Sequence, residues 1–462
     1  MLKMWQKISI EKLTLFAVII FGVFYLFVFP PNSAPDEPVH FAAAYQNAGA
    51  ILGETSPDVN SVAVRKADVK MFTEYSIFPD SNTYKFFKEE LFRPLPAYEV
   101  EIVDVPRESG VPYPFIYAPQ TAGVLLGRAI NANPEWLYMF GRILNLILYA
   151  VCAWLAVKLT PIAKGMFAVI ALFPMAMELA ASQNADTYTI AIALIALAQY
   201  LRIAYSDEPA KIRDLLLLLM TMLAMSPPKM IFFPFLMLLL FMPAKCFTTK
   251  KIEVIYRVLV VVLTIIVLAL TLYAYIHRSD GGVPTVAFSD EKMYSFSDLA
   301  ADPILFAKMC KRTIEAYFAY FLFSMIGTDL GWIEIQIPDV VIWIFLALAV
   351  LGAFREKVSD ALLKKRDRIM FIFIFLIAAL GTALIMYVSW TPFGSWDIIG
   401  IQGRYFLAGF PMLLIALSRW GKFPVRTAWL SDKHLVLYAC ILQVIVLICA
   451  YNFIAGREPV VL

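Results

Sequence analysis

The chain has 462 residues, of which 61% are hydrophobic and 16% are charged, and its formal net charge is +3. Soluble domains are usually about 45–50% apolar and about 25% charged, so this composition excludes an ordinary soluble domain. It predicts an all-α polytopic membrane protein with no nucleic-acid partner. The five cysteines have no C-x-x-C spacing, so we expect neither a disulfide framework nor a zinc site.

The first apolar run, Leu13–Phe29, is long enough to cross a bilayer. Its 17 residues would extend about 26 Å as a helix. The following Asn32-Ser33-Ala34 resembles a cleavage site, but the apolar core of a cleaved signal peptide is usually about 7–15 residues long. We expect an uncleaved anchor, with three upstream lysines holding the N-terminus in the cytoplasm.

Directly behind this run, Asp36, Glu37 and His40 bring two carboxylates and an imidazole to the membrane surface. Charged groups at that depth are costly unless they are solvated or functional. Asp36 could simply cap a helix that Pro38 begins. It also shares a helix face with His40, four residues on, so the two could share a proton or a metal ion.

Eleven apolar segments are predicted to cross the membrane, at residues 13–30, 136–157, 165–181, 187–204, 212–226, 230–243, 258–276, 339–354, 369–389, 405–420 and 435–454. With a cytoplasmic N-terminus, the short inner loops hold 22 Lys and Arg residues and the short outer loops hold 3. This asymmetry is the positive-inside pattern. It predicts an extracytoplasmic C-terminus.

The predicted organisation has five parts: the N-terminus and first helix at 1–30, a large extracytoplasmic loop at 31–135, helices two to seven at 136–276, a second outer loop at 277–338, and helices eight to eleven at 339–462. Within the first loop we expect a small subdomain, flanked by surface helices at Val39–Leu52 and Phe115–Ile130. If the second of these were a span, every later loop would change sides. In the second loop, Ile304–Gly327 carries three cations within five residues and is predicted to be an amphipathic helix.

With this topology, the unusual short polar motifs all fall on the outer side, whereas the inner loops show only runs of Lys and Arg. These motifs predict one outward-facing polar cavity. Arg404, Lys229 and Arg142 would suit a phosphate in the outer leaflet, and Asp36 or Glu37 could accept a proton from an attacking hydroxyl. Each cation also has a purely structural interpretation. Lys229 could snorkel to the interface, Arg142 could be a paired charge inside the bundle, and Arg404 could be an interfacial arginine without a ligand.

Several short motifs in order resemble an uncharacterised family of bacterial polytopic membrane proteins that is similar to the GT-C superfamily of lipid-linked-sugar glycosyltransferases. The matching segments are Ala34–Phe41, Tyr113–Gln120, Arg142–Asn145, Phe173–Met175, Ser182–Asp186, Pro228-Lys229 and Gln402–Phe406. They extend from about residue 34 to residue 411. The resemblance implies a GT-C-like architecture with an acidic catalytic residue just after the first span.

The resemblance further implies transfer of a sugar from a polyprenyl-phosphate donor to an envelope glycan, lipid or protein acceptor, on the outer face of a bacterial inner membrane. Asp36 is then the expected general base and Glu37 the second choice, with Arg404, Lys229 and Arg142 as donor-phosphate ligands. We expect the substrate to contact His40, Tyr117, Gln120, Asn184, Asp186, Gln402 and Tyr405. Metal dependence varies among GT-C enzymes, and we expect no metal or other cofactor here.

Three other functions fit the same sequence features. A transporter or flippase for a lipid-linked saccharide would be expected to have inverted repeats and broken helices near the midplane of the membrane. A polymerase or ligase of envelope glycans would use similar polar groups. A non-catalytic assembly scaffold would also occupy the membrane, without using them for chemistry.

Overall fold

A computed structural model describes residues 8–54, 61–93, 102–106, 113–276, 292–354, 365–418 and 430–458. In chain order the α-helices are α1 (Ile10–Val28), α2 (Glu37–Ile51), α3 (Lys70–Thr73), α4 (Ser81–Leu91), α5 (Ala118–Ala129), α6 (Pro134–Leu159), α7 (Lys164–Ile170), α8 (Pro174–Ala180), α9 (Asp186–Ala204), α10 (Ile212–Met225), α11 (Met237–Leu240), α12 (Lys250–Ile276), α13 (Phe296–Ala301), α14 (Pro303–Ile326), α15 (Asp339–Phe354), α16 (Lys365–Trp390), α17 (Phe410–Ser418) and α18 (Asp432–Gly456). The predicted all-α membrane class is therefore confirmed at the level of a mostly helical protein.

Short 3-10 helices and strands complete the described structure. The 3-10 helices are Lys66–Asp68, Pro114–Tyr117, Met230–Leu236, Ala244–Cys246 and Gly403–Phe406. The strands are β1 (Ser61–Arg65), β2 (Ile102–Pro106), β3 (Asp329–Leu330) and β4 (Ile335–Gln336). They form two antiparallel pairs, with Ser61 opposite Pro106 in the first and Asp329 opposite Gln336 in the second.

Six described helices, α1, α6, α9, α12, α16 and α18, are long and apolar enough to cross a membrane. The other predicted spans fall on shorter helices, so the total of eleven remains a prediction. Residues 165–181 form two short helices, α7 and α8, because Pro174 lacks the N–H that would continue α7. Residues 230–236 form a 3-10 helix around Pro234.

The helices pack around a buried centre. The apolar stretch of α9 is 83% buried and that of α12 is 17% buried, so α9 lies inside the bundle and α12 on its periphery. The Tyr25 hydroxyl donates to Gln443 Oε1 over 2.8 Å and ties α1 to α18. Helix α5 crosses α6 at Gly123 and Gly141, where a Cβ on Gly123 would lie 2.3 Å from the Gly141 nitrogen. Such close backbone approach is typical of small residues between membrane helices.

Helices are present at the two positions where the sequence predicts surface helices of the first outer loop. The first is α2, at Glu37–Ile51. The second is a 3-10 turn followed by α5, whose 12 residues extend about 18 Å, well short of the roughly 30 Å hydrocarbon core. That this segment lies on the membrane surface rather than spanning it stays a prediction. The described parts of the subdomain between them include the β1–β2 pair and α4.

The segment of the second loop that was predicted to be an amphipathic helix forms α14, which ends at Ile326 and is followed by Gly327. Behind it, β3 and β4 form a hairpin that packs onto the loop after α1. The Trp332 indole donates to the Asn32 carbonyl over 3.1 Å, and the Gly331 N–H donates to Glu178 Oε1 over 2.6 Å. The hairpin therefore holds the chain just before Asp36 against the ends of the membrane helices.

Candidate functional site

Asp36 occupies the residue before α2, but its side chain does not cap that helix. Its backbone is in the left-handed region, with φ 56° and ψ 14°, and its carboxylate makes no capping hydrogen bond. The carboxylate instead pairs with the guanidinium of Arg404. The side chain is 44% exposed, so Asp36 is the most accessible charged group of the site.

Arg404 lies in the 3-10 turn Gly403–Phe406, so the predicted start of a membrane helix at residue 405 is wrong. That helix, α17, starts at Phe410. Gly403 makes the position of Arg404 possible, because a Cβ there would lie 2.3 Å from both the Met325 nitrogen and the Phe321 carbonyl oxygen of α14. Only 2% of the Arg404 side chain is exposed.

A second ion pair, between Lys229 and Asp186, contacts the pair of Asp36 and Arg404. Lys229 Nζ lies 2.5 Å from Asp186 Oδ1, and Arg404 Nε lies 3.5 Å from Asp186 Oδ2. Lys229 also lies 4.7 Å from the centre of the Tyr405 ring. We call Asp36, Asp186, Lys229 and Arg404 the outer charge cluster. It is neutral overall, and it unites residues from four distant parts of the chain that the sequence predicted to meet.

The electrostatics of the cluster fix the charge states of its neighbours. Burial alone lowers the pKa of Arg404, but the carboxylates of Asp36 and Asp186 more than compensate and raise it above the usual value for arginine. Burial lowers the pKa of His40, and Arg404 and Lys229 lower it further, while the two carboxylates oppose this shift. His40 is therefore a neutral hydrogen-bonding group at pH 7, and its Nδ1 lies 3.0 Å from the Tyr117 hydroxyl.

Glu37 and Arg142, predicted as a second base and a phosphate ligand, form a fully buried ion pair beneath the cluster. Arg142 Nε donates to Glu37 Oε1 and Arg142 Nη2 to Glu37 Oε2, each over 2.7 Å, and neither side chain is exposed. Arg142 Nη1 also donates to the Phe29 carbonyl and Nη2 to the Pro30 carbonyl. Because both charges are satisfied by protein groups, this pair forms the framework of the site. The predicted contacts of Glu37 and Arg142 with substrate do not follow from this geometry.

Some of the other predicted substrate residues also belong to the framework of the site, and others are partly exposed. Asn184 donates to the Pro35 carbonyl over 2.7 Å and accepts from the Asp186 N–H over 2.7 Å, so it positions both sides of the cluster. Gln120 is completely buried and donates to the Gln183 carbonyl over 3.2 Å. Gln402 and Tyr405 lie close to Arg404 in the chain, and both side chains are partly exposed.

Sequence reasoning noted two further residues without assigning them a role in the site. Asn145 donates to the carbonyls of Leu179 and Ser182 and fixes the chain before Asp186; its place three residues after Arg142 was the available signal. Asp329, on the β3–β4 hairpin, lines a crevice beside Arg404; it is one of the polar residues predicted to converge on the outer side, but it was not assigned a role. Among the described residues, no group of three or more His, Cys, Asp or Glu side chains is arranged to hold a metal ion.

Six long apolar helices define the chain as a multi-pass membrane protein. More particularly, the chain belongs to the DUF2142 family of predicted membrane proteins, whose family model matches residues 19–415. The match includes all four residues of the outer charge cluster. No curated protein and no solved structure matches the chain.

Proposed function

We propose that this protein is a GT-C-type membrane glycosyltransferase that moves a sugar from a polyprenyl-phosphate donor to an envelope glycan, lipid or protein on the extracytoplasmic face. The observation that carries the proposal is the ion pair between a half-exposed Asp36 and a buried Arg404. One accessible carboxylate is thereby held beside a cation, which is what simultaneous proton removal and phosphate departure require.

The reaction would proceed by displacement at the anomeric carbon. A hydroxyl oxygen of the acceptor forms the new bond to that carbon, and the bond from the carbon to the phosphate oxygen breaks with its electron pair staying on the phosphate. The hydroxyl proton passes to Asp36. A positioned general base typically contributes about 10²–10⁴ in rate.

In the neutral cluster, the charge of Asp36 is balanced by Arg404. Proton transfer to Asp36 therefore changes what Arg404 can bind. When Asp36 takes the proton, its carboxylate loses its charge and its hold on Arg404 weakens. The guanidinium is then available to the phosphate that gains charge as it departs, and Lys229, 25% exposed, can reach the same anion. Proton transfer and leaving-group stabilisation would thus be coupled through one arginine.

The test compares the envelope glycans of cells that carry the wild-type gene, no gene, Asp36→Asn or Asp339→Asn. Loss of one glycan modification without the gene and with Asp36→Asn, at normal protein level, is the expected result. Asp339→Asn, a matched change of another exposed outer carboxylate, should retain it. Normal glycans with Asp36→Asn would refute the role of Asp36 as general base.

A transporter or flippase for lipid-linked saccharides is the second candidate, on one observation. The chain between Lys164 and Ala180 is broken into two short helices, and the buried Glu178 behind the break has one carboxylate oxygen without a hydrogen-bond partner among the described residues. Broken helices with buried polar groups are typical of transporters. In that case the glycan precursor would accumulate on the cytoplasmic side when the gene is removed, and no sugar would be transferred by purified protein.

A further inference from the structure

The crevice beside Arg404 is very small. Its cavity volume is about 10 Å³. A cavity holds one water molecule when its volume reaches roughly 10–15 Å³ and when two to four polar groups bind that water. The polar lining consists of Tyr320, Ser324, Asp329, Gln402 and Arg404. The crevice therefore has the size and the lining for a single water molecule.

Arg404 brings a buried donor to this crevice. Only 2% of its side chain is exposed. Its Nη2 donates to Asp36, and its Nε lies 3.5 Å from Asp186 Oδ2. Its Nη1 is buried and has no hydrogen-bond partner among the described residues. An unpaired buried donor is costly, and more so on a charged group, so Nη1 calls for an acceptor other than the protein groups around it.

Asp329 is the charged acceptor in the lining. It has no ion-pair partner among the residues that the structure describes, and burial together with the nearby Asp339 raises its pKa. Tyr320 lies close to both charged groups of the crevice. Burial raises the pKa of its hydroxyl most, Asp329 raises that pKa further, and Arg404 lowers it. A carboxylate and a guanidinium thus line one narrow space without forming an ion pair with each other.

These two groups suit a water better than an ion. A cation in the crevice would face Arg404, and an anion would face Asp329. A water both accepts from a guanidinium N–H and donates to a carboxylate. We propose that one ordered water bridges Arg404 Nη1 and the Asp329 carboxylate, which makes Asp329 a positioning residue for Arg404.

The backbone of the hairpin holds Asp329 in place for this role. Gly331 and Ile333, which line the crevice, have positive φ angles of 63° and 68°. A β-branched residue in that region is costly unless surrounding structure holds it. Here the Gly331 N–H donates to Glu178, and the Trp332 indole donates to the Asn32 carbonyl. The strained hairpin is therefore anchored, and the carboxylate next to it has a fixed place.

The water bridge gives Arg404 a contact that does not depend on Asp36. When Asp36 takes a proton, its hold on the guanidinium weakens, but the bridge to Asp329 remains. Arg404 then keeps the orientation in which it can bind a departing phosphate. This consequence rests on the proposed glycosyl transfer, whereas the bridge itself does not.

The bridge is tested directly by a structure of the full wild-type chain in phosphatidylethanolamine–phosphatidylglycerol nanodiscs, at a resolution that shows ordered waters. One water should lie within hydrogen-bonding distance of both Arg404 Nη1 and an Asp329 carboxylate oxygen. A crevice without water density, or a direct contact between Arg404 and Asp329, would overturn the proposal.

The positioning role is tested by the affinity for undecaprenyl phosphate in the same nanodiscs. Asp329→Leu removes the acceptor and should weaken binding about fivefold. Asp329→Asn should stay within about twofold of the wild type, because its amide oxygen still accepts from the water. Asp339→Leu, a matched change of an exposed carboxylate outside the crevice, should bind as the wild type does. Equal affinities of Asp329→Asn and Asp329→Leu would overturn the bridge as the basis of the effect.

A double-mutant comparison separates positioning from a general structural effect. Asp329→Leu should cause no further loss of affinity in an Arg404→Gln background, because the group that it positions is gone. A further loss there would overturn the positioning role. If the wild type does not bind undecaprenyl phosphate, the proposed glycosyl transfer falls, and the wild-type structure alone decides whether the water bridge exists. The same structure decides the matter if Asp329→Leu does not fold.

Discussion

Arg404 and Asp36 form an ion pair across 368 residues of sequence, between a buried guanidinium and a half-exposed carboxylate. Asp36 is the most exposed member of the outer charge cluster. A phosphate that binds Arg404 must therefore compete with a carboxylate that is already present. The strength of phosphate binding then depends on the charge of Asp36.

Asp36→Asn is expected to strengthen the binding of undecaprenyl phosphate about tenfold, because the amide leaves the shape of the side chain but removes the competing charge. Arg404→Gln is expected to weaken binding by a similar factor. Microscale thermophoresis of the purified variants in detergent measures both. Unchanged affinity in Asp36→Asn would mean that phosphate does not bind at Arg404 or binds without displacing Asp36.

Glu37→Gln should destabilise the protein strongly. The substitution leaves the Arg142 guanidinium buried without a counter-charge, and breaking a buried pair in this way typically costs about 3–5 kcal/mol. Thermal unfolding in detergent, followed by tryptophan fluorescence, should show a clearly lower midpoint. Lys311→Ala provides the matched control, because it breaks the exposed pair with Glu315 and should hardly move the midpoint. Equal midpoints for the two variants would argue against a structural role for Glu37.

Gly403→Ala should impair phosphate binding without touching a charged group. A Cβ at this position would overlap the backbone of α14, so the turn that carries Arg404 must shift. Undecaprenyl phosphate affinity should fall while the fold is retained, as judged by a small change in the unfolding midpoint. Gly456→Ala, where a Cβ would meet nothing within 4 Å, should leave both measurements unchanged. A normal affinity in Gly403→Ala would show that the position of Arg404 is not critical.

The sequence anticipated the meeting of Asp36, Asp186, Lys229 and Arg404 because alternating topology assigns short polar segments to one side. It could not assign partners within that group. Glu37 adjoins Asp36 in sequence, yet the left-handed backbone at Asp36 directs the two carboxylates to different arginines. Such a conformation is uncommon at a non-glycine residue, and although Asp adopts it more often than most residue types, the sequence does not show which Asp does so.

Helix boundaries in the membrane were predicted best where the apolar run is long and uninterrupted. The break between α7 and α8 depends on Pro174, which hydropathy alone treats as part of one span. Asp329 was predicted to lie with the other polar residues of the outer side, but the sequence could not show that it lies beside Arg404. Its importance arises from the hairpin that folds it over Arg404, and a two-residue strand leaves almost no pattern in a sequence.

The predicted orientation can be tested with single cysteines in a background without the native ones. A cysteine at Gln336, exposed on β4, should react with a membrane-impermeant maleimide applied to intact spheroplasts. A cysteine at Lys251, exposed at the start of α12, should react only after the membrane is permeabilised. This follows from the excess of Lys and Arg in the predicted inner loops. The reverse labelling pattern would put the outer charge cluster in the cytoplasm and remove the basis for a periplasm-facing donor.

His40 should make stability depend on pH in a particular direction. Burial lowers its pKa in the folded protein below the ordinary value of 6.5, so the unfolded chain binds its proton more readily. The contribution of His40 is then fully present above about pH 6.5 and declines as the pH falls toward the folded-state pKa. His40→Gln keeps a hydrogen-bonding group beside Tyr117 but cannot titrate. Between pH 7 and pH 5, the unfolding midpoint of the wild type should therefore fall more than that of His40→Gln. An equal fall in both proteins would contradict a neutral, buried His40.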